Sequence, residues 1–136
     1  MALLELKNVS KTYTGEVSVE VLQQIDLKVP EGEFISIMGP SGSGKTTMLN
    51  LVATLDKPTS GSVILKGEQP LELSKQKLAE FRRRQLGFVF QNYNLLSPLS
   101  VLENVILPLT LDRVAVPEMK ERSEQLLREL GIYQKK

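Results

Sequence analysis

A glycine-rich segment near residue 40 constrains this chain more than any other part of it. The segment consists of Gly39, Pro40, Ser41, Gly42, Ser43, Gly44, Lys45, Thr46 and Thr47. It fits the pattern G-x-x-x-x-G-K-[ST], in which glycines let several backbone N–H groups point into one concave pocket. The apolar residues 34–38 before it predict a buried strand, and residues 48–53 after it have helical apolar content. This order of strand, glycine loop and helix predicts a phosphate-binding loop.

Two side chains of this loop have the chemistry that a nucleoside triphosphate requires. Lys45 would reach the β- and γ-phosphates as a mobile point charge, and the hydroxyl of Thr46 would hold Mg²⁺. The helix that begins near Lys45 would add the positive end of its dipole at the same place. A glycine-rich turn with no ligand is the alternative, but the fixed positions match by chance at only about a few in 100,000 sites. The loop therefore predicts nucleotide binding.

Composition excludes several other kinds of site. The 136 residues suffice for one modest domain, and 17 basic against 16 acidic residues argue against a dedicated nucleic-acid binder. The chain has no cysteine and no histidine, which excludes disulfides, thiolate or histidine metal sites and Ser-His catalysis. Glu5 interrupts the first apolar residues, so no signal peptide is predicted. No apolar run approaches the ~18 residues of a membrane span.

Alternating polarity predicts two antiparallel strands before the loop. In the first strand, Leu4, Leu6 and Asn8 alternate with their neighbours. Residues 19–22 lead to the second strand, in which Ile25, Leu27 and Val29 show the same period. This pattern is typical of strands with one face in water.

Two further strands are predicted after the loop, at residues 62–65 and at the apolar run 86–90, which ends at Gln91. Residues 106–112 are also apolar and end in an aspartate, but Pro108 argues against a central strand there.

Capping residues predict the helices. The helix after the glycine loop should end near Leu55, and Ser74 is a candidate N-cap for the next one. Ser100 opens a capping box, Pro117 fits the first turn of a last helix, and Gly131 fits its end. The apolar face predicted for this last helix consists of Leu126, Leu127 and Leu130.

The order of these parts resembles the nucleotide-binding domain of ABC-type ATPases. Tyr13 stands where that family has an aromatic residue that stacks on adenine. Gln91 falls at the family's Q-loop, where a glutamine reaches Mg²⁺ and the attacking water. An exposed tyrosine at a strand end and a polar residue ending a strand remain the alternatives for these two positions.

Three short stretches of sequence narrow the resemblance to one bacterial branch of the family. Residues 82–91, 94–98 and 103–109 are similar to the branch that serves lipoprotein release, macrolide efflux and antimicrobial-peptide resistance. The resemblance implies an α/β P-loop NTPase fold of the ABC ATPase type. It comprises antiparallel N-terminal strands, a core P-loop strand and its helix, and the start of a helical subdomain. Residues 1–91 would form the nucleotide-binding core and residues 92–136 the beginning of that subdomain.

The resemblance also implies a function and its partners. The resemblance covers only the first part of the family's domain, so we expect this chain to be a fragment of a longer parent protein. That parent protein would bind ATP and Mg²⁺ and hydrolyse ATP to drive transport. It would work with a second ATPase domain and a membrane permease subunit, on the cytoplasmic face of the membrane. The family's signature loop, Walker B aspartate, catalytic glutamate and switch histidine are expected beyond residue 136, so no catalytic residue is assigned here. We therefore expect ATP binding with negligible turnover, and self-association or domain swapping through an exposed edge at residues 34–38.

Two other functions remain open at this point. A small P-loop kinase would need a substrate pocket and a basic lid, and Tyr13 and Gln91 would then be incidental. A DNA-associated ATPase of the ABC type would show salt-sensitive DNA binding, which the near-neutral charge disfavours.

Overall fold

The computed structural model describes residues 2–136, which divide into two compact units, one ending at Phe88 and the other Val89–Lys136. The first unit contains β1 (Ala2–Tyr13), β2 (Val19–Pro30), α1 (Lys45–Val52), β3 (Ser60–Leu65), a 3₁₀ turn (Pro70–Glu72) and α2 (Lys75–Gln85). The second contains α3 (Val101–Leu111), α4 (Val116–Glu129) and a 3₁₀ turn (Tyr133–Lys135). Within residues 2–136, no helix combines the length and the apolar content that crossing a membrane requires.

The sheet of the first unit is antiparallel, with β1 between β2 and β3. The two strands predicted before the glycine loop are confirmed, and so is the strand predicted at residues 62–65, which begins two residues earlier. The apolar cluster beneath the sheet joins all three strands to α1 and the first 3₁₀ turn through Leu4, Leu6, Val9, Leu22, Val29, Leu51, Val63, Leu65 and Leu71.

The alternation predicted for β1 is wrong from Asn8 onward. Asn8 has φ 51 and is exposed, whereas Val9 is fully buried. A bulge at this point shifts the strand register, so that Val9 and not Asn8 continues the buried face of Leu4 and Leu6. The N–H of Asn8 donates to Asp26 Oδ1 at 2.9 Å. The bulge therefore leaves no unpaired donor at Asn8.

Strand β2 carries a similar irregularity opposite the first. Gln24 has φ 47, and the inward positions change from Leu22 to Ile25 across it. The N–H of Gln24 donates to Ser10 Oγ at 2.8 Å. Each strand thus supplies a side chain that binds the displaced amide of the other.

The strands predicted at residues 34–38 and 86–90 are not formed. Phe34 is 94% exposed and Met38 is 86% exposed, so the segment before the glycine loop is not buried. A central strand needs partners on both edges. Among residues 2–136, neither segment forms a ladder with another strand, and their apolar side chains are left outside the sheet.

Helix α1 ends at Val52, three residues before the predicted position near Leu55. Thr54 then adopts a left-handed conformation with φ 59 and is buried. Arg82 of α2 holds this turn, because its Nε donates to Thr54 Oγ1 at 3.0 Å and its Nη2 donates to Thr54 O.

The predicted capping residues are confirmed in both units. Ser74 of the first unit and Ser100 of the second both cap helices as predicted, and Ser100 forms the full capping box with Glu103. Pro108 lies inside α3, which confirms that residues 106–112 are not a central strand. Pro117 lies in the first turn of α4, and Gly131 follows its end with φ 69.

The buried face of α4 differs from the predicted one. Met119, Ser123 and Leu127 are buried, whereas Leu126 and Leu130 are exposed. The buried positions are spaced four residues apart, so they lie along one side of the helix. Of the three leucines predicted for the buried face, only Leu127 lies on that side.

Candidate functional site

The glycine loop is held against the hairpin of β1 and β2. Gly44, the N-cap of α1, has φ 87. A Cβ atom at this position would lie 3.0 Å from Leu22 Cδ2 and 3.0 Å from the carbonyl oxygen of Val21. Both the left-handed conformation and this close approach require glycine. The loop is thereby fixed where the hairpin and the first turn of α1 meet.

A cavity of about 500 Å³ lies at this junction. Its walls are Val21, Ser41, Gly42, Gly44, Lys45, Thr46 and Thr47. The first turn of α1 contains no acidic residue and its N-cap makes no side-chain hydrogen bond, so its N–H groups have no carboxylate partner there. Free N–H groups and the positive end of the helix dipole favour an anion in this cavity.

Lys45 lies folded over the loop. Its Nζ donates to Gly39 O at 2.9 Å, to Pro40 O at 2.6 Å and to Ser43 Oγ at 3.4 Å. These acceptors are neutral, and a charged phosphate oxygen is a stronger acceptor for an ammonium group. The side chain can therefore exchange its contacts within the loop for contacts to a ligand in the cavity.

Thr46 fits the modest requirement of Mg²⁺ for protein ligands. Mg²⁺ keeps several waters and takes one or two protein ligands beside phosphate oxygens. Thr46 lies in the first turn of α1 on the cavity wall. No cluster of three His, Cys, Asp or Glu residues suited to a metal occurs among residues 2–136. A magnesium ion here would depend on phosphate oxygens for most of its charge neutralisation.

Gln91 lies at an exposed bend of the second unit. Its assignment as a contact to Mg²⁺ and water stays a prediction.

Tyr13 is part of a cluster that sequence reasoning missed. The ring is 43% exposed at the end of β1, and its hydroxyl donates to Asp56 Oδ2 at 3.0 Å. Lys11 Nζ lies 4.7 Å from the ring centroid and 2.8 Å from Asp56 Oδ1. The hydrogen bond from Lys11, with those from Lys57 N–H and Tyr13, holds the pKa of Asp56 below its usual range. No local sequence signal joins these residues, because Asp56 follows Tyr13 by 43 positions.

The antiparallel sheet, the glycine loop and α1 together have the arrangement of the nucleotide-binding part of an ABC-type cassette. The ABC transporter family model matches residues 22–136. The chain belongs to the ABC transporter family, and the predicted resemblance and fold class are confirmed. The alternatives of a small kinase and a DNA-associated ATPase are not favoured.

Relatives and solved structures agree with this assignment. The chain is 52% identical to the ABC transporter ATP-binding protein YxdL of Bacillus subtilis (strain 168), covering 96% of this chain and 51% of that protein. It is 46% identical to the bacitracin export ATP-binding protein BceA of Halalkalibacterium halodurans, covering 98% and 53%. The dimeric post-hydrolysis structure of the ATP-binding cassette MJ0796 bound to ADP and Pi matches with a TM-score of 0.84 and 45% identity, covering 92% and 56%. The chain spans about half the length of the relatives that it matches.

Proposed function

We propose that this chain is the ATP-binding part of a transport ATPase and that it binds Mg-ATP at the glycine loop. One observation carries the proposal: Lys45, Thr46 and the first turn of α1 line the same cavity of about 500 Å³. The cavity brings together a mobile ammonium, a hydroxyl suited to Mg²⁺ and free backbone N–H groups. This combination fits the terminal phosphates of a nucleoside triphosphate together with their Mg²⁺.

The position of Tyr13 near the cavity supports its proposed role as the residue that stacks on the base. It pairs with Val19 across the hairpin, and Val21, two residues further along β2, lines the cavity. Neighbouring strands lie about 4.8 Å apart and each rises about 3.4 Å per residue. The backbone of Tyr13 therefore lies roughly 8 Å from the backbone of Val21 at the cavity wall. A nucleotide with its phosphates against Lys45 is long enough for its base to stack on this ring.

The residues of this chain bind and orient ATP without completing hydrolysis. Bound Mg²⁺ would neutralise charge on the phosphates, with Thr46 as its protein ligand and Gln91 as a further contact to the ion and to water. No residue is assigned as the base that positions the attacking water. Residues 1–91 form the nucleotide-binding core in this proposal, and residues 92–136 begin the helical subdomain.

The parent protein is proposed to hydrolyse ATP and to couple hydrolysis to transport. It would pair with a second ATPase domain and dock on a membrane permease from the cytoplasmic side. The family assignment supports the permease, and the dimeric form of the MJ0796 cassette supports the pairing of ATPase domains.

Calorimetric titration of the chain with Mg-ATP tests the proposed function. We expect saturable binding with one nucleotide per chain, weakened when EDTA removes Mg²⁺. Phosphate release should stay at the level of a Lys45→Ala variant. Absence of binding would contradict the binding proposal. Multiple turnovers of ATP that disappear in Lys45→Ala would contradict the proposal that this chain does not complete hydrolysis.

Self-association of the chain is expected from the apolar surface before the glycine loop. Phe34 and Met38 are exposed, and an open apolar groove of about 520 Å³ lies beside Ile35 and Ile37 in the first unit. Apolar side chains without a partner favour pairing between chains. Light scattering should show a mean mass that rises with concentration, and less so after substitution of Phe34 and Met38 by serine.

The control for this measurement is Val17→Ser, which removes an exposed valine from the hairpin turn. It should leave the concentration dependence unchanged. A monodisperse monomer at high concentration would contradict the expectation.

A further inference from the structure

A buried lysine next to Tyr13 requires explanation. Lys11 is only 9% exposed, which is unusual for a side chain whose charge favours water. Its Nζ donates to Asp56 Oδ1 at 2.8 Å and to Lys57 O at 2.7 Å. These contacts compensate the buried charge. Lys11 contacts only one of the two carboxylate oxygens of Asp56.

The second oxygen of Asp56 binds Tyr13. The Tyr13 hydroxyl donates to Oδ2 at 3.0 Å, while the N–H of Lys57 donates to Oδ1 at 2.7 Å. The ring is thus fixed at its base by β1 and at its tip by the carboxylate. Lys11 Nζ lies over the ring, 4.7 Å from its centroid, and Tyr13 as a residue is 43% exposed.

The segment that carries Asp56 is itself anchored. The preceding turn is bound by Arg82 through Thr54, and Asp56 N–H donates to Asn50 O of α1 at 3.3 Å. Positioning of a side chain is most effective when the supporting group lies on a rigid element. Asp56 therefore reaches Tyr13 from a fixed point of the first unit.

We propose that Asp56 is a positioning residue for nucleotide binding, which holds the Tyr13 ring in the orientation that stacks on the base. This rests on the proposed function, in which Tyr13 contacts the base. Fixing a side chain before binding removes the entropic cost of ordering it in the complex. Loss of Asp56 should therefore weaken the recognition of the base and spare the recognition of the phosphates.

The second unit contains a matched control. Tyr133 OH donates to Glu124 Oε2 at 3.2 Å, and Lys136 Nζ donates to Glu124 Oε1 at 3.2 Å. Lys136 Nζ also lies 4.2 Å from the ring centroid of Tyr133. This is the same set of lysine, tyrosine and carboxylate, without any assigned role in nucleotide binding. Glu124→Ala removes equivalent contacts from it.

The test compares Mg-ATP with Mg-tripolyphosphate, which lacks the base, by calorimetry on the full chain. Asp56→Ala should weaken Mg-ATP binding about threefold to tenfold, the range expected for ordering one tyrosine. Binding of Mg-tripolyphosphate should change less than about twofold, and Glu124→Ala should change neither affinity. Asp56→Asn keeps one oxygen for Lys11 and Lys57, and its amide nitrogen can donate to the Tyr13 hydroxyl oxygen, so this variant should retain most of the affinity for Mg-ATP.

A double-mutant cycle separates positioning from a merely structural effect. Adding Asp56→Ala to Tyr13→Ala should cause no further loss of Mg-ATP affinity. Equal loss for both ligands, or an undiminished effect in the Tyr13→Ala background, would overturn the proposal. If Asp56→Ala does not fold because Lys11 is left unpaired, the charge-neutral pair Lys11→Met with Asp56→Leu replaces it.

NMR of the ligand-free chain with ¹³C-labelled tyrosine rings tests Asp56 independently of ATP. The Tyr13 ring signals should shift in Asp56→Ala and stay in place in Glu124→Ala. Unchanged Tyr13 signals would overturn the positioning role. If the chain bound Mg-tripolyphosphate as tightly as Mg-ATP, that result would contradict the proposed role of Tyr13, whatever the ring signals show.

Discussion

Lys45→Ala is expected to weaken Mg-ATP binding by about 100-fold or more. Hydrogen bonds to charged groups contribute about 1.5–3 kcal/mol each, and Lys45 would make at least two to the phosphates. Even the lower value summed over two bonds corresponds to a change in Kd of about two orders of magnitude. The substitution also removes the contacts of Nζ with Gly39 O and Pro40 O, so thermal unfolding must be recorded beside the titration.

Lys57→Ala is the matched control for this prediction. It removes the same charge from the first unit, and the contacts of Lys57 with Lys11 and Asp56 use only its backbone atoms. Its affinity for Mg-ATP should stay within about twofold of the unchanged chain, as expected for an exposed charge screened by salt. Lys45→Arg should recover only part of the affinity, because a planar guanidinium does not replace a compact ammonium. If Lys45→Ala left the Kd for Mg-ATP unaltered, the phosphates would not bind at Lys45, which would contradict the prediction.

Gly61→Ala is expected to destabilise the first unit by about 2–5 kcal/mol. Gly61 has φ 83, and a left-handed conformation costs a residue with a side chain roughly 1–2 kcal/mol. In addition, a Cβ atom would lie 2.2 Å from Asn8 O and 2.5 Å from Lys7 O. These are backbone atoms of the neighbouring strand, and moving them would disturb the pairing of β1 with β3. Steric overlap of this kind typically costs a further 1–3 kcal/mol.

Gly67→Ala separates the two contributions. Gly67 has φ 81, nearly the same as Gly61, but a Cβ atom there would meet no atom within 4 Å. Its free energy of unfolding should fall by about 1–2 kcal/mol, from the backbone conformation alone. Urea unfolding followed by circular dichroism measures both variants. Equal losses would show that strand β1 accommodates the methyl group at Gly61 without cost.

Features that depend on neighbouring residues could be predicted from the sequence. The glycine loop, the start of α1, and the caps at Ser74 and Ser100 each rely on a few consecutive side chains. Their signals are therefore complete within a short window. The same holds for Pro117 and Gly131 at the two ends of α4.

Features that depend on distant partners could not be predicted in this way. The apolar runs at residues 34–38 and 86–90 predict strands, but a strand forms only where another strand pairs with it. The contact between Tyr13 and Asp56 joins two segments that lie 43 positions apart and share no local pattern. The buried Lys11 would be placed in water by its residue type alone.

The opposed bulges at Asn8 and Gln24 fix the register in which β1 pairs with β2. A slip of the hairpin would separate Asn8 from Asp26 and Gln24 from Ser10, leaving two amides without acceptors. The distance between the ring that would meet the base and the loop that would meet the phosphates is therefore set inside the strands. The turn at residues 14–18 can vary in length and sequence without changing that distance.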